Sequence, residues 1–593
     1  MPTDDALGVI AVMRVFLGVE QSLTGRRWIG PDPAASRLAE GLAQAASLPL
    51  PVARVLAERG VEAAEADAFL TPKLRDLLPD PLILRDMAIA AERLVIAALQ
   101  RQRIAVFADY DVDGGSSAAL LVWWLRALGQ PDPTVYIPDR IDEGYGPNAP
   151  AIAELASSHD LIICVDCGTL SHEALAAAEG IADVMVLDHH QGGETLPPAL
   201  AVVNPNRADE DGALGHLCAA GVVFLTLVQA GRGLRKAGNA EPALMALTDL
   251  VALATVADVA PLVGVNRAFV RSGLSVMARR ERPGLVALSD VARLDGAPSA
   301  FHLGFLLGPR INAGGRVGRA DLGARCLIAR EAAEAEHLAA QLDELNRDRR
   351  TIEAAVREEA LAQVEARGTA GLSWAAGDGW HPGVVGIVAA RVKEATGLPS
   401  VVIGIDDGVG KGSARSVPGV DLGRAIQRLA REGLLIKGGG HAMAAGLTVA
   451  QDAIEPAMIR LAELLARDLD ARSGIHDLRI SGLIEPSGAS IPMLRQLEDA
   501  GPFGQAAPAP RFAFADMLID SAAVMGDSHL RLNFRSPGTP PMQAVAWGAM
   551  NTALGPALLG ARGRRFHLAG KLEISTWGGR ERLRLRLDDA APA

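Results

Sequence analysis

The sequence predicts an α/β multidomain protein: a doubly wound, mostly parallel lobe and a smaller α/β lobe joined by a long helix, followed by a small β-barrel. Three observations carry this prediction. Between residues 102 and 262 the short apolar runs IAVFADYD, DLIICVDCG, VMVLDHH and LVALATVADV alternate with helix-like stretches such as 116–128 and 171–179, the pattern of strands wound into a parallel sheet. Residues 331–367 hold one helical periodicity, with Leu338, Leu342, Leu345, Ile352 and Val356 on one face, and at 1.5 Å per residue they span about 55 Å. From 474 to 593 a two-residue alternation returns in RFAFADMLI, HLRLNF, RFHLAGKLEI and RLRLRL, as in a small antiparallel barrel.

The first element is helical. Leu38, Leu42, Ala45 and Leu48 recur at three- and four-residue spacing, which marks residues 1–75 as a helical entry region. The parallel lobe is expected over 76–270 and a helical region with the connector over 271–367. The second lobe is expected over 368–470, with strands near 372–376 and 399–405 and helices at 383–395 and 421–431. The barrel takes 474–593. A length of 593 residues agrees with roughly three to five domains.

Composition narrows the class. Hydrophobic residues make up 49% and charged residues 22%, which excludes disorder, collagen-like repeats and a coiled coil. Seventy acidic against 58 basic side chains give a net charge of −12, yet a nucleic-acid partner depends on where the basic groups lie. Four cysteines, Cys164, Cys167, Cys218 and Cys326, make no disulfide framework and lead us to expect the cytoplasm. The N-terminal apolar run follows Asp4 and Asp5 and contains Arg14, unlike a signal peptide, and we expect no membrane span.

Chemistry concentrates where the apolar runs end. DYDVDGG places Asp109, Asp111 and Asp113 at alternating positions, which in extended geometry share one face. Three carboxylates so placed repel unless a cation lies between them. A turn built from Asp and Gly114–Gly115 is the competing reading of that segment alone. Asp166 in VDCG, Asp188, His189 and His190 in LDHH, and Asp258 in ATVADV supply acids or imidazoles at the equivalent ends of the other runs. In a doubly wound sheet those ends converge on the ligand site. Oxygen-rich ligation with an imidazole suits Mn²⁺ or Mg²⁺ better than a structural zinc, and a two-metal hydrolase site follows. Cys164 and Cys167 form a CxxC inside an apolar run and are read as packing.

The glycine-rich segments GVGKGS (408–413) and GGGHAM (438–443) lack the features of a nucleotide-binding loop. Their backbone amides can cradle an anion, and Lys411, Ser413 and Arg415 add charge and hydrogen bonds there.

These segments together resemble one family. FLGVEQSLTGRRW, DYDVDG, DEGYG, VDCG, DHH with VVNPNR, LATVADVAPL, GPRINAGGR, WHPGVVGIVAAR, GKGSARS and GGGHAMAAG are similar, in order and spacing, to the RecJ family within the DHH phosphoesterase superfamily, bacterial exonucleases specific for single-stranded DNA. The resemblance implies a DHH catalytic lobe, a DHH-associated lobe and an OB-fold. It implies 5′→3′ hydrolysis of phosphodiester bonds by two-metal-ion catalysis, releasing 5′-mononucleotides in DNA repair and recombination, with two Mn²⁺ or Mg²⁺ ions as cofactors.

By the same resemblance Asp109, Asp111, Asp113, Asp166, His189 and Asp258 hold the metals, Asp166 bridging. Asp111, Asp113, Asp166, His189 and His190 form the catalytic set, and Asp188 orients an imidazole from behind. Arg140, Arg316, Ser413 and Arg415 grip the 5′ phosphate. Arg310 is a further candidate against a salt bridge within its lobe, and His441 a candidate for the nucleotide next to the scissile bond, whereas His381 is read as structural. Single-stranded DNA is the implied partner, with a single-strand-binding protein and a helicase as protein partners of a monomer. The alternatives are a DHH-family phosphodiesterase for short oligonucleotides or cyclic dinucleotides and a non-catalytic DNA-binding scaffold.

The barrel adds charge. Arg562, Arg564, Arg565, Lys571, Arg580, Arg582, Arg584 and Arg586 stand against only Glu573 and Glu581 between 561 and 587, as expected for a surface that follows a phosphate backbone. Phe512, Phe514, Phe534, Phe566 and Trp577 are available for stacking on bases, although a small barrel needs most of them inside.

Overall fold

Three of the four acidic-ended runs are strands of one parallel sheet. The computed structural model describes residues 15–140, 142–368, 371–470, 476–577 and 580–593. The apolar run before residue 15 and the side chain of Trp577 lie outside the described residues. The sheet has the order Thr134–Tyr136, Ile104–Ala108, Leu161–Val165, Asp183–Leu187, Ala201–Val203, parallel throughout. Ile104–Ala108 and Leu161–Val165 are buried at every position, which is why they read as continuous apolar runs: helices cover both faces.

The fourth run is a helix. LVALATVADV forms Thr248–Ala257, buried over Thr248–Thr255, and a helix buried all round shows no polar face by which its period can be recognised. DYDVDGG is also not extended. Asp109 follows the strand, Asp111 caps the helix Val112–Ala127, and Asp113 lies in that helix's first turn. The Asp111 carboxylate accepts from the Asp113 and Gly114 amides at 2.8 and 3.2 Å, an N-cap that bends the chain into the helix.

The connector is a helix of 36 residues, Ala332–Arg367, burying Leu338, Leu342 and Val356. Beyond it lies a sheet in the order Lys437–His441, Ala444–Ala450, Val409–Arg415, Ser400–Asp406, Ser373–Asp378, in which only the last pair is parallel. GVGKGS is therefore strand rather than an anion-cradling loop. Its backbone is committed to ladders on both sides, and alternation sets Lys411, Ser413 and Arg415 on one face.

The chain forms two compact units, Leu77–Ser473 on one hand and Met1–Asp76 with Gly474–Ala593 on the other. In the latter, Phe512–Met525, His529–Arg535, Met542–Ala546, Arg580–Pro592 and Arg565–Trp577 pair in sequence and close because the first also pairs with the last. Met542–Ala546 and Arg580–Pro592 run parallel, so the barrel is mixed rather than purely antiparallel. Leu42 and Leu56 of the entry helices join Phe512, Phe514, Phe534 and Phe566 in one core. The entry helices are too short to enclose a core of their own. Trp28 is fully buried and its indole N–H donates to Asp589 at 2.9 Å.

Candidate active site

The polar ends of the parallel strands meet the helix ends that carry Asp113 and Asp258. Three overlapping sets each bring one nitrogen or oxygen per residue within 4.8 Å of the others: Asp109, Asp111 and Asp166; Asp166, His189 and His190; Asp113, His189 and Asp258. His189 Nε2 faces Asp166 at 3.2 Å, Asp113 at 3.7 Å and Asp258 at 3.8 Å.

Each candidate ligand is fixed by its element. Asp166 ends Leu161–Val165 with φ of 61°, a left-handed conformation costly for a non-glycine residue and common at functional sites. Asp113 is buried under the first turn of Ala219–Lys236 and accepts from the Ala219 and Ala220 amides at 2.7 and 2.8 Å, where a helix N-terminus favours an anion.

Asp188 is not a member of these sets. Its carboxylate accepts from Nδ1 of His190 at 2.8 Å, from the His189 and His190 amides, and from Thr169 Oγ1 at 2.6 Å. Burial alone would raise Asp188, but the hydrogen bond and charge of His190 outweigh it and hold the carboxyl well below its usual range. Burial likewise opposes the charge on His190, whose pKa the Asp188 hydrogen bond nonetheless raises to about 9.

The donor set suits divalent cations. Burial and then mutual repulsion push Asp109 and Asp166 well above the ordinary carboxylate range, and burial followed by Asp113 and Asp111 pushes Asp258 to about 8. Asp109 Oδ1, Asp166 Oδ1 and His189 Nε2 are buried without a hydrogen-bond partner. Orphaned acceptors among like charges are what hard cations satisfy.

Beside this centre lies a cluster of arginines. Arg140 stacks on the Tyr110 ring, 4.8 Å from its centroid. Burial, then Arg140 and Arg349, lower Arg316 to about 10, and burial followed by Arg140 lowers Arg415. Among the described residues Arg140, Arg316 and Arg415 form no salt bridge. Arg316 donates to the Gly383 carbonyl at 3.1 Å and Arg415 to Ser413 Oγ at 2.9 Å. The glycines of WHPGVVG explain the close approach of the Pro382–Thr396 helix. A side chain at Gly383 would lie 2.1 Å from the Arg316 carbonyl oxygen, and one at Gly386 3.1 Å from Ser413 Oγ and 3.2 Å from Arg415 Nη2.

Three predicted residues stand apart. Arg310 pairs with Asp343 at 2.9 Å and the Leu306 carbonyl at 2.7 Å, the salt bridge weighed against its anion role. His441 is exposed at the end of Lys437–His441. His381 caps Pro382–Thr396 by accepting from the Gly383 amide.

Several residues escaped sequence reasoning. Tyr145 OH donates to the Asp166 carbonyl at 3.0 Å and lies 3.0 Å from His190 Nδ1. Asn206 donates to the His189 carbonyl at 2.6 Å, Asn204 to the His190 carbonyl at 2.8 Å, and Asn312 accepts from the Val112 amide at 3.1 Å. Each sits in a recognisable segment, DEGYG, VVNPNR or GPRINAGGR, so the signal was the motif without a role for each member. Arg349 had no motif to reveal it.

Carboxylates and imidazoles at the ends of a parallel sheet, adjoining an arginine pocket completed by a second α/β lobe, define a metal-dependent phosphoesterase of the DHH class. The model of the "DHH family, N-terminal domain" matches residues 103–255, that of the "DHHA1 domain" 364–467 and that of the "RecJ OB domain" 480–589. The chain is 37% identical to the single-stranded-DNA-specific exonuclease RecJ of Dickeya dadantii over 566 residues, covering 92% of this chain and 96% of that one. It is 36% identical to the protein of that name in Escherichia coli, with the same coverage. Among solved structures, RecJ from Thermus thermophilus in complex with Mn²⁺ superposes with a TM-score of 0.78 at 31% identity, covering 93% of this chain and 78% of that one. The chain belongs to the RecJ family.

Proposed function

We propose that this protein is a 5′→3′ exonuclease specific for single-stranded DNA, releasing 5′-mononucleotides in repair and recombination. The observation that carries this reading is the adjacency of a buried acidic centre to a half-buried arginine cluster that forms no salt bridge among the described residues. Asp109, Asp111, Asp113, Asp166, His189 and Asp258 would hold two Mn²⁺ or Mg²⁺ ions, with Asp166 shared. Such ions, when bound, polarise the phosphodiester and lower the pKa of water.

The chain's own residues set direction and orientation. Arg140, Arg316 and Arg415, with Ser413, receive a terminal phosphate, whose charge relieves the repulsion among the guanidinium groups. A strand can then enter only by its phosphorylated end. His190 donates through Nδ1 to Asp188, which leaves Nε2 to donate to an oxygen of the scissile phosphate. Asp188, anchored by Thr169, keeps that imidazole charged and correctly turned. His441 is assigned to the nucleotide beside the scissile bond, and Arg310 to a supporting position behind the pocket. The protein acts as a monomer in the cytoplasm, on strands that a helicase exposes and a single-strand-binding protein covers.

The test is Mn²⁺-dependent degradation of strands labelled at one end at a time, with wild type and Asp166→Asn. Mononucleotide release from the 5′ end by wild type and its loss in the variant, with DNA binding retained, are the expected results. Digestion from the 3′ end, hydrolysis retained by the variant, or a preference for dinucleotides over long strands would overturn the reading.

A further inference from the structure

Two aromatic rings lie on the surface beside the acidic centre without a part in the reaction above. Phe301 and Phe305 are 54% and 65% exposed, and their rings stack with centroids 5.0 Å apart and planes at 23°. They occupy the short helix Ala300–His302 and the π-helical turn Leu303–Leu307, which leads directly into the helix Gly308–Val317. π-helical turns are frequent at functional sites.

This turn packs against residues that flank the acidic centre in sequence. A side chain at Gly304 would meet Val256 Cγ1 at 3.3 Å, and one at Gly308 would meet Ala257 Cβ at 3.3 Å and Val112 Cγ2 at 3.9 Å. Val256 and Ala257 immediately precede Asp258, and Val112 lies between Asp111 and Asp113. Leu303 and Leu307 point into the core. Phe305, Pro309, Asn312 and Arg316 follow one another at spacings of four, three and four residues, which is one helix stripe. On that stripe Asn312 accepts from the Val112 amide and Arg316 belongs to the arginine cluster. The aromatic pair therefore extends a face that begins at the arginine cluster and passes the metal-binding loop. Eleven residues separate Phe305 from Arg316, about 16 Å along a helix.

We infer that Phe301 and Phe305 form a base-stacking platform for nucleotides of the single strand on the 3′ side of the scissile bond. The inference rests on the exonuclease reading given above. A strand held by its 5′ phosphate at the arginine end and crossing the acidic centre continues onto this face, so the occupant is nucleic acid. Phenyl rings accept every base, because each base has a π face. A nuclease that advances one nucleotide at a time needs that tolerance.

The experiment is steady-state kinetics with Mn²⁺ on 5′-phosphorylated oligonucleotides carrying one abasic site at successive positions from the 5′ end. Wild type should show a KM about 5- to 150-fold higher when the abasic site falls at one or two adjacent positions, the range set by the loss of one stacked base. The Phe301→Ala/Phe305→Ala variant should raise KM to a similar extent on the intact strand, keep kcat within about twofold and lose the positional dependence. Phe305→Trp should restore it. Cleavage of a 5′-phosphorylated dinucleotide, too short to reach the rings, should not change. An unchanged KM on the long strand, or an abasic profile identical to wild type, would overturn the platform while leaving the exonuclease reading intact. A wild-type protein that does not digest the phosphorylated strand at all would overturn the exonuclease reading itself.

Discussion

Asp166 concentrates the demands of the site in one residue: a left-handed backbone, a buried carboxylate with one oxygen unpartnered, and a carbonyl held by Tyr145. The strain persists because its surroundings determine it, and the Tyr145 hydroxyl is one of those surroundings, touching His190 as well. Tyr145 is thus a positioning residue. Tyr145→Phe should lower kcat about 5- to 10-fold, the loss expected for one hydrogen bond, while KM for single-stranded DNA stays within about twofold; a large change in KM with kcat intact would place the tyrosine on the substrate instead. At this scale the sequence was informative about which residues carry charge and, Asp188 apart, uninformative about which neutral residues hold them still, Tyr145, Asn204, Asn206 and Asn312 among them. The family resemblance implied that Asp188 orients an imidazole; the structure adds the hydrogen bonds from Thr169 and His190 through which it would do so.

Among the elements, the strands and the connector were legible because burial on both faces or along one stripe leaves a pattern in the residues. The Thr248–Ala257 helix was not, since a buried helix and a buried strand both appear as an apolar run. Asp111 and Asp113 were misplaced for a related reason: their spacing fits an extended face, but the N-cap geometry of Asp111 wins. In the second lobe one exposed contact ties two helices. Glu432, which caps Leu422–Arg431, accepts from Arg460 of Ile454–Asp470 at 2.9 and 3.1 Å and from Arg428 at 2.9 Å, while Glu463 also engages Arg460. The hydrogen bonds from Arg460 and then Arg428 lower Glu432 to about 2. A carboxyl with a depressed folded pKa stabilises above its ordinary value, near 4.5, and the contribution disappears as pH falls toward about 2. Thermal denaturation should therefore show Glu432→Gln melting below wild type at pH 6, by a small margin as befits a solvated pair, with the gap narrowing steadily below pH 4.5. A gap independent of pH would mean that the carboxylate charge is not what joins the helices.

Over the whole molecule, the charge of −12 is an average over opposed surfaces. Acid gathers in the metal-binding centre of one unit, whereas the barrel of the other carries basic residues around a groove of about 920 Å³ that Arg531, Arg582 and Arg584 line with Asn533 and Gln543. The alternation in RLRLRL was legible: Leu585 and Leu587 are buried while Arg586 is exposed. The core placement of Phe512, Phe514, Phe534 and Phe566 was also legible from the need to fill a small barrel. The exposure of Trp547, with Arg584 6.0 Å from its ring centroid, was not, because exposure depends on where a strand ends rather than on residue type. Not every arginine is available to DNA. Arg565 is paired with Asp516 and Arg584 with Glu573, whereas Arg531 and Arg582 line the groove with no ion pair among the described residues. If these two neutralise phosphates, each releases counterions on binding, and affinity for single strands then falls with salt by about 0.7 in the log–log slope per contact. Arg531→Gln/Arg582→Gln should flatten that slope by about 1.4 for a long oligonucleotide, measured by fluorescence anisotropy across a salt series, and should weaken binding to phosphorylated and unphosphorylated strands alike. Arg415→Gln should do the reverse, abolishing the preference for a 5′ phosphate while taking away at most about one contact's worth of slope. Equal effects of the two changes on both measurements would contradict a division of labour in which one set of arginines reads the end of the strand and the other holds its length.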